Sequence, residues 1–171
     1  MLRFALLNYT PKRYMRRASF EAQESNRYII DFKNGRKYAI RIITDMVCET
    51  LSKTNMDNTI IVNIPASCER TTERRYRTFM NDVCDRCGAV NGFGHVHVFG
   101  KREKSHIIRH HSHLDNVRID NDFFRGRRVI VVDDICTTGQ TSNSFIERLK
   151  MAGADVRMAL FIAKTKKFKT N

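Results

Sequence analysis

RVIVVDDICTTGQT, residues 128–141, runs an apolar strand into two aspartates and then into a short loop of hydroxyls around one glycine. Ile130, Val131 and Val132 demand burial, whereas Asp133 and Asp134 tolerate it only with partners. The carboxylates are therefore expected at the carboxyl end of a buried strand, where open α/β sheets bind their ligands. The residues that follow, SNSFIERLKMAG, predict a helix with Phe145, Ile146, Leu149 and Ala152 on one side and Gly153 as its stop. Between strand and helix, backbone N–H groups, the hydroxyls of Thr137, Thr138 and Thr141, and a helix N-terminus suit a phosphate. A phosphate cradle beside two carboxylates points to a sugar phosphate, with its ribose hydroxyls on the carboxylates. So many negative groups call for a divalent cation.

Outward from this stretch the chain alternates strand and helix. Residues 1–27 read as a basic N-terminal arm, within which 11–27 are polar and form an irregular arm or a short helix. Residues 28–32 form a short apolar segment, and Asn34-Gly35 marks a turn. Over 37–51 the apolar positions Ala39, Ile42, Ile43, Met46 and Val47 follow helical spacing. TIIVNI, residues 59–64, reads as a buried strand that Pro65 ends, because proline has no N–H to donate. Residues 73–87 give the clearest amphipathic helix, with Tyr76, Phe79, Met80, Val83, Cys84 and Cys87 on one stripe. Residues 96–99 read as another strand, 101–122 as a polar, histidine-rich mobile loop, 156–163 as the last strand and 165–171 as a basic tail. Strands separated by helices predict one α/β domain over 1–171, its mostly parallel sheet covered by helices on both faces.

Composition narrows the class. A chain of 171 residues can bury a real core, and a hydrophobic share of 42% argues against wholesale disorder. No apolar run approaches the ~20 residues of a membrane helix, so no membrane partner is expected. The start, MLRFALLNYT, makes a poor signal peptide, and five thinly spread cysteines suit a reducing compartment, so a cytoplasmic address is expected. The net charge is +13, and the excess is terminal: residues 1–40 carry nine Lys/Arg against three Asp/Glu, and 121–171 carry ten against five. Such ends either attract a polyanion, nucleic acid included, or are simply solvated.

The stretch VIVVDDICTTGQT resembles the diphosphoribosyl-binding signature of type I phosphoribosyltransferases, without a gap. The resemblance implies that fold, with a small irregular hood, and 5-phosphoribosyl 1-diphosphate (PRPP) or a nucleoside 5′-monophosphate as ligand. It puts Asp133 and Asp134 on the ribose hydroxyls and weakly on Mg²⁺, and Thr137, Thr138, Gly139, Gln140 and Thr141 around the 5′-phosphate. A second strand–loop stretch, IIVNIPASCERTTERRY over 60–76, ends in Pro65, Ala66 and Ser67, the best candidate for the diphosphate loop that this superfamily places opposite its signature. Arg70 lies nearest that loop; Arg74 and Arg75 are weaker candidates. Lys101, Arg102 and Lys104 fall in the mobile stretch, where closure over the ligand would bring a cation to the diphosphate. Arg70, Lys101 and Lys104 are thus the catalytic candidates.

The order of FKNGRKYAIRI, IVNIPASCERTTERRY, KREKSHIIRHHSHLDNVRIDNDFF and VVDDICTTGQT is similar to that of the ComF-like phosphoribosyltransferases, over about residues 28–164. Two features depart from that group. The first cysteine is Cys48, so its amino-terminal zinc ribbon has no counterpart, and the arginine-rich element after the loop reads Arg74-Arg75-Tyr76-Arg77. The implied reaction displaces diphosphate from the ribose C1′ by a nitrogen nucleophile. The other reading is a module that binds PRPP, a nucleotide or nucleic acid without turnover, linked by family association to DNA uptake. Either function admits a homodimer.

Two constellations are discounted. Cys84 and Cys87 have metal-ligand spacing but sit on the apolar helix stripe without a second such pair, so no structural zinc is expected. The histidines at 106, 110, 111 and 113 suit phosphate or water better than a metal. Salvage enzymes for 6-oxopurines carry an acid three residues after the second aspartate. Here that residue is Thr137, which implies that hypoxanthine and guanine are poor acceptors.

Overall fold

Residues 1–100 and 114–166 are described by a computed structural model. Its elements in chain order are β1 (Leu2–Tyr9), α1 (Phe20–Lys33), α2 (Lys37–Leu51), β2 (Thr59–Asn63), α3 (Glu69–Cys87) and β3 (Val90–Asn91). They continue with β4 (Val96–Val98), β5 (Val117–Ile119), α4 (Asn121–Phe124), β6 (Arg128–Cys136), α5 (Gln140–Met151) and β7 (Asp155–Thr165). Five strands form one sheet in the order β1-β7-β6-β2-β3, and every pair in it is parallel.

The apolar runs of β2 and β6 explain the layers. Side chains alternate across a strand, so a run buried throughout must be covered on both faces. Ile61, Ile130 and Val132 point to one side, against Ile29 and Phe32 of α1, Ile43 and Val47 of α2, and Tyr76, Phe79 and Val83 of α3. Ile60, Val62, Val129 and Val131 point to the other, against Phe145, Ile146 and Leu149 of α5 and Val117 and Ile119 of β5. The parallel sheet with helices on both faces is thus the fold that the alternation predicts.

The ends of the chain depart from the expectation. Residues 1–27 are no loose arm. β1 is an edge strand paired with β7 from Leu2↔Met158 to Tyr9↔Thr165. A 3-10 turn, Lys12–Arg17, follows, and Ser19 caps α1 by accepting from the Ala22 N–H at 3.3 Å. Buried Asn26 accepts the Thr10 N–H at 2.9 Å and donates back to the Thr10 carbonyl at 2.6 Å, which locks the turn onto α1. The apolar segment 28–32 is the last part of α1. The basic composition hid the edge strand, because an edge strand exposes one face and one side.

Three further differences concern the middle. Residues 96–98 leave the main sheet and pair antiparallel with β5, while the two-residue β3 takes the sheet edge. A small antiparallel sheet of β4 and β5 stands beside the main one. Of the stretch 101–122, expected to be a mobile loop, residues 114–122 instead contain β5 and the start of α4. Residues 101–113 and 167–171, most of the basic tail among them, lie outside the described residues. Finally, α3 begins at Glu69 and not at 73, so Arg70, Arg74 and Arg75 all ride on a helix.

Candidate functional site

β2 and β6 are neighbours in the sheet, yet the helices that follow them lie on opposite faces: α3 packs in one core layer and α5 in the other. Their loops therefore leave in opposite directions and open a crevice beyond the strand ends, the place where α/β sheets bind ligands. The crevice holds a cavity of about 250 Å³. One wall is the segment from Asp133 to Ser142, the other is Ile64 to Ser67 with Thr71, Arg75 and Tyr76 of α3, and Lys33 closes one end.

The two aspartates solve the problem of burial differently. Asp134 is 6% exposed. Its carboxylate accepts from the Arg75 guanidinium, lies 3.6 Å from Lys33 Nζ and takes the Ile135 N–H at 2.6 Å. A buried carboxylate with two cations and a backbone donor is a satisfied charge. Asp133 has no cation so close. It accepts the Asp134 N–H at 2.8 Å and the Tyr76 hydroxyl at 3.3 Å. Burial first, and the Asp134 carboxylate second, push Asp133 up to about 8. Burial and the same two carboxylates raise Tyr76 well above its ordinary value, which keeps its phenol a neutral donor.

Distant parts of the chain assemble the cationic wall. Gly35, at φ +72°, turns α1 into α2, and a side chain there would meet the Arg74 backbone at 2.9 Å. That close approach sets the end of α1 on α3, where Arg75 Nε also donates to the Lys33 carbonyl at 3.4 Å. The facing turn is braced by Thr72, whose hydroxyl accepts the Ala66 N–H and donates to the Cys68 carbonyl, each at 3.0 Å. Asn116, just before β5, donates to the Ser67 carbonyl at 3.4 Å and so ties the turn to the small sheet.

The signature loop needs its glycine. Gly139 sits at φ +81° as the N-cap of α5, a left-handed conformation that a side chain would strain. Ser142 Oγ donates to the Gly139 carbonyl at 2.9 Å, and Thr138 Oγ1 accepts the Gln140 N–H at 3.4 Å. Thr137, Thr138, Gly139, Gln140 and Thr141 all line the cavity, as do Pro65, Ala66 and Ser67.

Arg70 is the correction. It is exposed on the first turn of α3 and does not line the cavity, whereas Arg75, one turn on, does. Thr72, Arg75, Tyr76 and Phe79 share one face at helical spacing. Extending the apolar stripe of α3 one turn backwards would have found Arg75. Lys33 had no local signal: it is a helix-terminal lysine beside a turn. Lys101, Arg102 and Lys104 lie outside the described residues.

The described residues hold no cluster of three or more His, Cys, Asp or Glu side chains fit to grip a metal. The donor set fits Mg²⁺ arriving on a diphosphate, with Asp133 and Asp134, among the described residues, as the only carboxylates lining the cavity. Cys84 is buried on α3 and its thiol is pushed up to about 12, mainly by burial. Cys87 lies 3.7 Å from Cys48, sulfur to sulfur, and is likewise raised to about 12. Neither Cys84 nor Cys87 is activated. His95 donates to or accepts from Asp120 at 2.9 Å, away from the crevice.

The phosphoribosyl transferase domain family matches residues 103–170, which contain the aspartates and the loop. An adenine phosphoribosyltransferase of Novosphingobium aromaticivorans is 47% identical over 49 residues, 28% of this chain and 28% of that protein. The chain thus aligns with well under a third of that relative's length. Crystal structures of adenine phosphoribosyltransferases are similar in fold. That from Thermoanaerobacter pseudethanolicus has a TM-score of 0.52 at 19% identity, covering 77% of this chain and 72% of that one. That from Rhodothermus marinus has 0.50 at 17%, covering 76% and 69%. An orotate phosphoribosyltransferase from Aeropyrum pernix has 0.50 at 19%, covering 76% and 62%. The match to the phosphoribosyl transferase domain family thus rests on residues 103–170, and the parallel sheet with its helices has the fold of these phosphoribosyltransferase structures.

Proposed function

We propose that the crevice binds PRPP with Mg²⁺ and transfers its phosphoribosyl group to a nitrogen nucleophile, releasing diphosphate. The observation that carries this reading is the meeting of two walls of opposite character. The loop of backbone donors and threonines at 137–141 adjoins Asp133 and Asp134 on one side, and the 65–67 turn with Arg75 and Lys33 stands on the other. A ribose 5-phosphate has its phosphate at the loop and its hydroxyls towards Asp133. The diphosphate then falls towards the turn and the two cations.

In the reaction the C1′–N bond forms as the C1′–O bond to diphosphate breaks, and the bonding pair leaves with the diphosphate. Positive charge gathers on the ribose ring, where the Asp134 carboxylate stabilises it, while Asp133, protonated in the free site, holds the ribose hydroxyls by hydrogen bonds. Negative charge grows on the departing oxygens, where Arg75 and Lys33 oppose it. Mg²⁺, carried on the diphosphate within reach of Asp133 and Asp134, would neutralise the leaving group. The incoming nitrogen sheds its proton afterwards. Turnover on a nucleobase fits nucleotide metabolism and a cytoplasmic setting; turnover on another amine is the ComF-like variant of the same chemistry.

The test is to incubate the protein with Mg²⁺, PRPP and a panel of nucleobases and amines and to follow diphosphate release. Release that depends on one acceptor supports the transferase. Saturable PRPP binding without release for any acceptor supports the non-catalytic binding module. Absence of both removes the proposal.

A further inference from the structure

The loop Cys136–Ser142 contains no lysine or arginine. A phosphate held there by its own residues would meet backbone N–H groups and hydroxyls but no cation, although phosphate recognition gains most from a planar guanidinium. Among the described residues, a cation reaches this loop from the other end of the sequence. Arg3 lies on β1, in register with Ala159 of β7, and its side chain crosses β7 towards α5. Its Nη2 donates to Asn143 Oδ1 on the first turn of α5. Its Nη1 lies 3.6 Å from where a side chain on Gly139 would begin. Among the described residues no carboxylate lies within ion-pair distance of it.

A second cation stands beside it. Lys164 of β7 pairs in register with Cys136, the residue that opens the loop. Both Arg3 and Lys164 bear on Cys136: burial and Asp133 raise that thiol, and the two cations oppose the rise.

We infer that Arg3, carried on the edge strand β1, is a phosphate-recognition residue of the Thr137–Thr141 loop, with its guanidinium held ready by Asn143. This rests on the reading of the crevice as a phosphoribosyl site and adds to it the residue that supplies positive charge to the 5-phosphate. Asn143 fixes one nitrogen of the fork and leaves the other facing the loop at Gly139. The edge strand then has a functional reason to be where it is: it delivers a charge that the loop's own sequence lacks.

The test compares two ligands that report on opposite walls. Ribose 5-phosphate reads the signature loop, and Mg²⁺-diphosphate reads the 65–67 turn with Arg75. Arg3→Gln should weaken ribose 5-phosphate binding about ten-fold, as loss of a charge-assisted bond to phosphate does, and leave Mg²⁺-diphosphate unchanged. Asn143→Ala, which keeps the charge and the strand but frees the fork, should weaken ribose 5-phosphate by a smaller factor. Arg3→Lys should recover part of the loss. Unchanged ribose 5-phosphate affinity in Arg3→Gln, or an equal loss for both ligands, would reduce Arg3 to a clamp between β1 and α5. If Arg3→Gln fails to fold, Asn143→Ala decides alone: unchanged ribose 5-phosphate affinity overturns the inference. Failure of the unaltered protein to bind ribose 5-phosphate would instead strike the crevice reading, and this inference with it.

Discussion

The two walls of the crevice are built in opposite ways. The wall from β6 to α5 is one unbroken stretch of chain, and its donors are backbone N–H groups and threonine hydroxyls around Gly139. The wall facing it takes Lys33 from α1, Arg75 from α3 and a turn braced by Thr72, so its charge is collected from two separate helices. Contiguity explains the difference. A phosphate fits a loop whose successive N–H groups converge, which needs neighbouring residues. Charge needs only proximity, and packing supplies that from anywhere in the chain.

The comparison is most sharply broken at the buried ion pair between the walls, Arg75 to Asp134. Arg75→Ala should cost about 3 kcal/mol, because it strips a buried carboxylate of its nearest cation. Lys33, at 3.6 Å and more exposed, compensates only in part. Urea unfolding measures this, and a midpoint within error of the unaltered protein would show that the walls are not coupled.

A second test uses pH. Asp133, at about 8, keeps a proton that an ordinary aspartate in the unfolded chain has lost above about 4. Between those values the folded state binds more protons, so stability falls as pH rises through the window. Asp133→Asn, which has nothing to titrate, should become steadily more stable relative to the unaltered protein from pH 4 to 8. Parallel stability curves for the two proteins would show that the Asp133 carboxyl is not raised.

Gly139→Ala strains only the signature wall. It should cost about 1 kcal/mol through the left-handed backbone and lower ribose 5-phosphate affinity, with no effect on Mg²⁺-diphosphate. Equal losses for both ligands would mean that the walls move as one unit. Away from the crevice, Cys84→Ala should cost about 1 kcal/mol as a core truncation and leave both ligands alone, and elemental analysis should find no stoichiometric zinc. A zinc lost with that substitution would show that the thiols of α2 and α3 are a metal site.

What could be read from the sequence follows the same division. The strand, the aspartates and the loop at 128–141 were legible because periodicity, capping and hydroxyl content all act over a few residues. The parallel sheet was legible because β2 and β6 are apolar without alternation, which only a doubly covered sheet explains. Arg70 was preferred to Arg75 because distance along the chain from Pro65 stood in for distance in space, and a helix reverses that order within one turn. β1 was missed because Arg3, Asn8 and the basic turn after it mask an edge strand that buries little. Lys33 and Arg3 carried no local signal, since their positions depend on the Gly35 approach and on the pairing of the first strand with the last.

The central claim is that the crevice between β2 and β6 takes a phosphorylated ribose onto Asp133, Asp134 and the 137–141 loop. Calorimetric titration of PRPP with Mg²⁺ into the unaltered protein and into Asp133→Asn/Asp134→Asn tests it most directly, with circular dichroism confirming that both are folded. The account predicts one saturable site in the unaltered protein and an affinity at least about ten-fold weaker in the double variant, as expected when the Asp134 charge and the Asp133 carboxyl that hold ligand hydroxyls are both lost. Unchanged affinity in a folded double variant would contradict it.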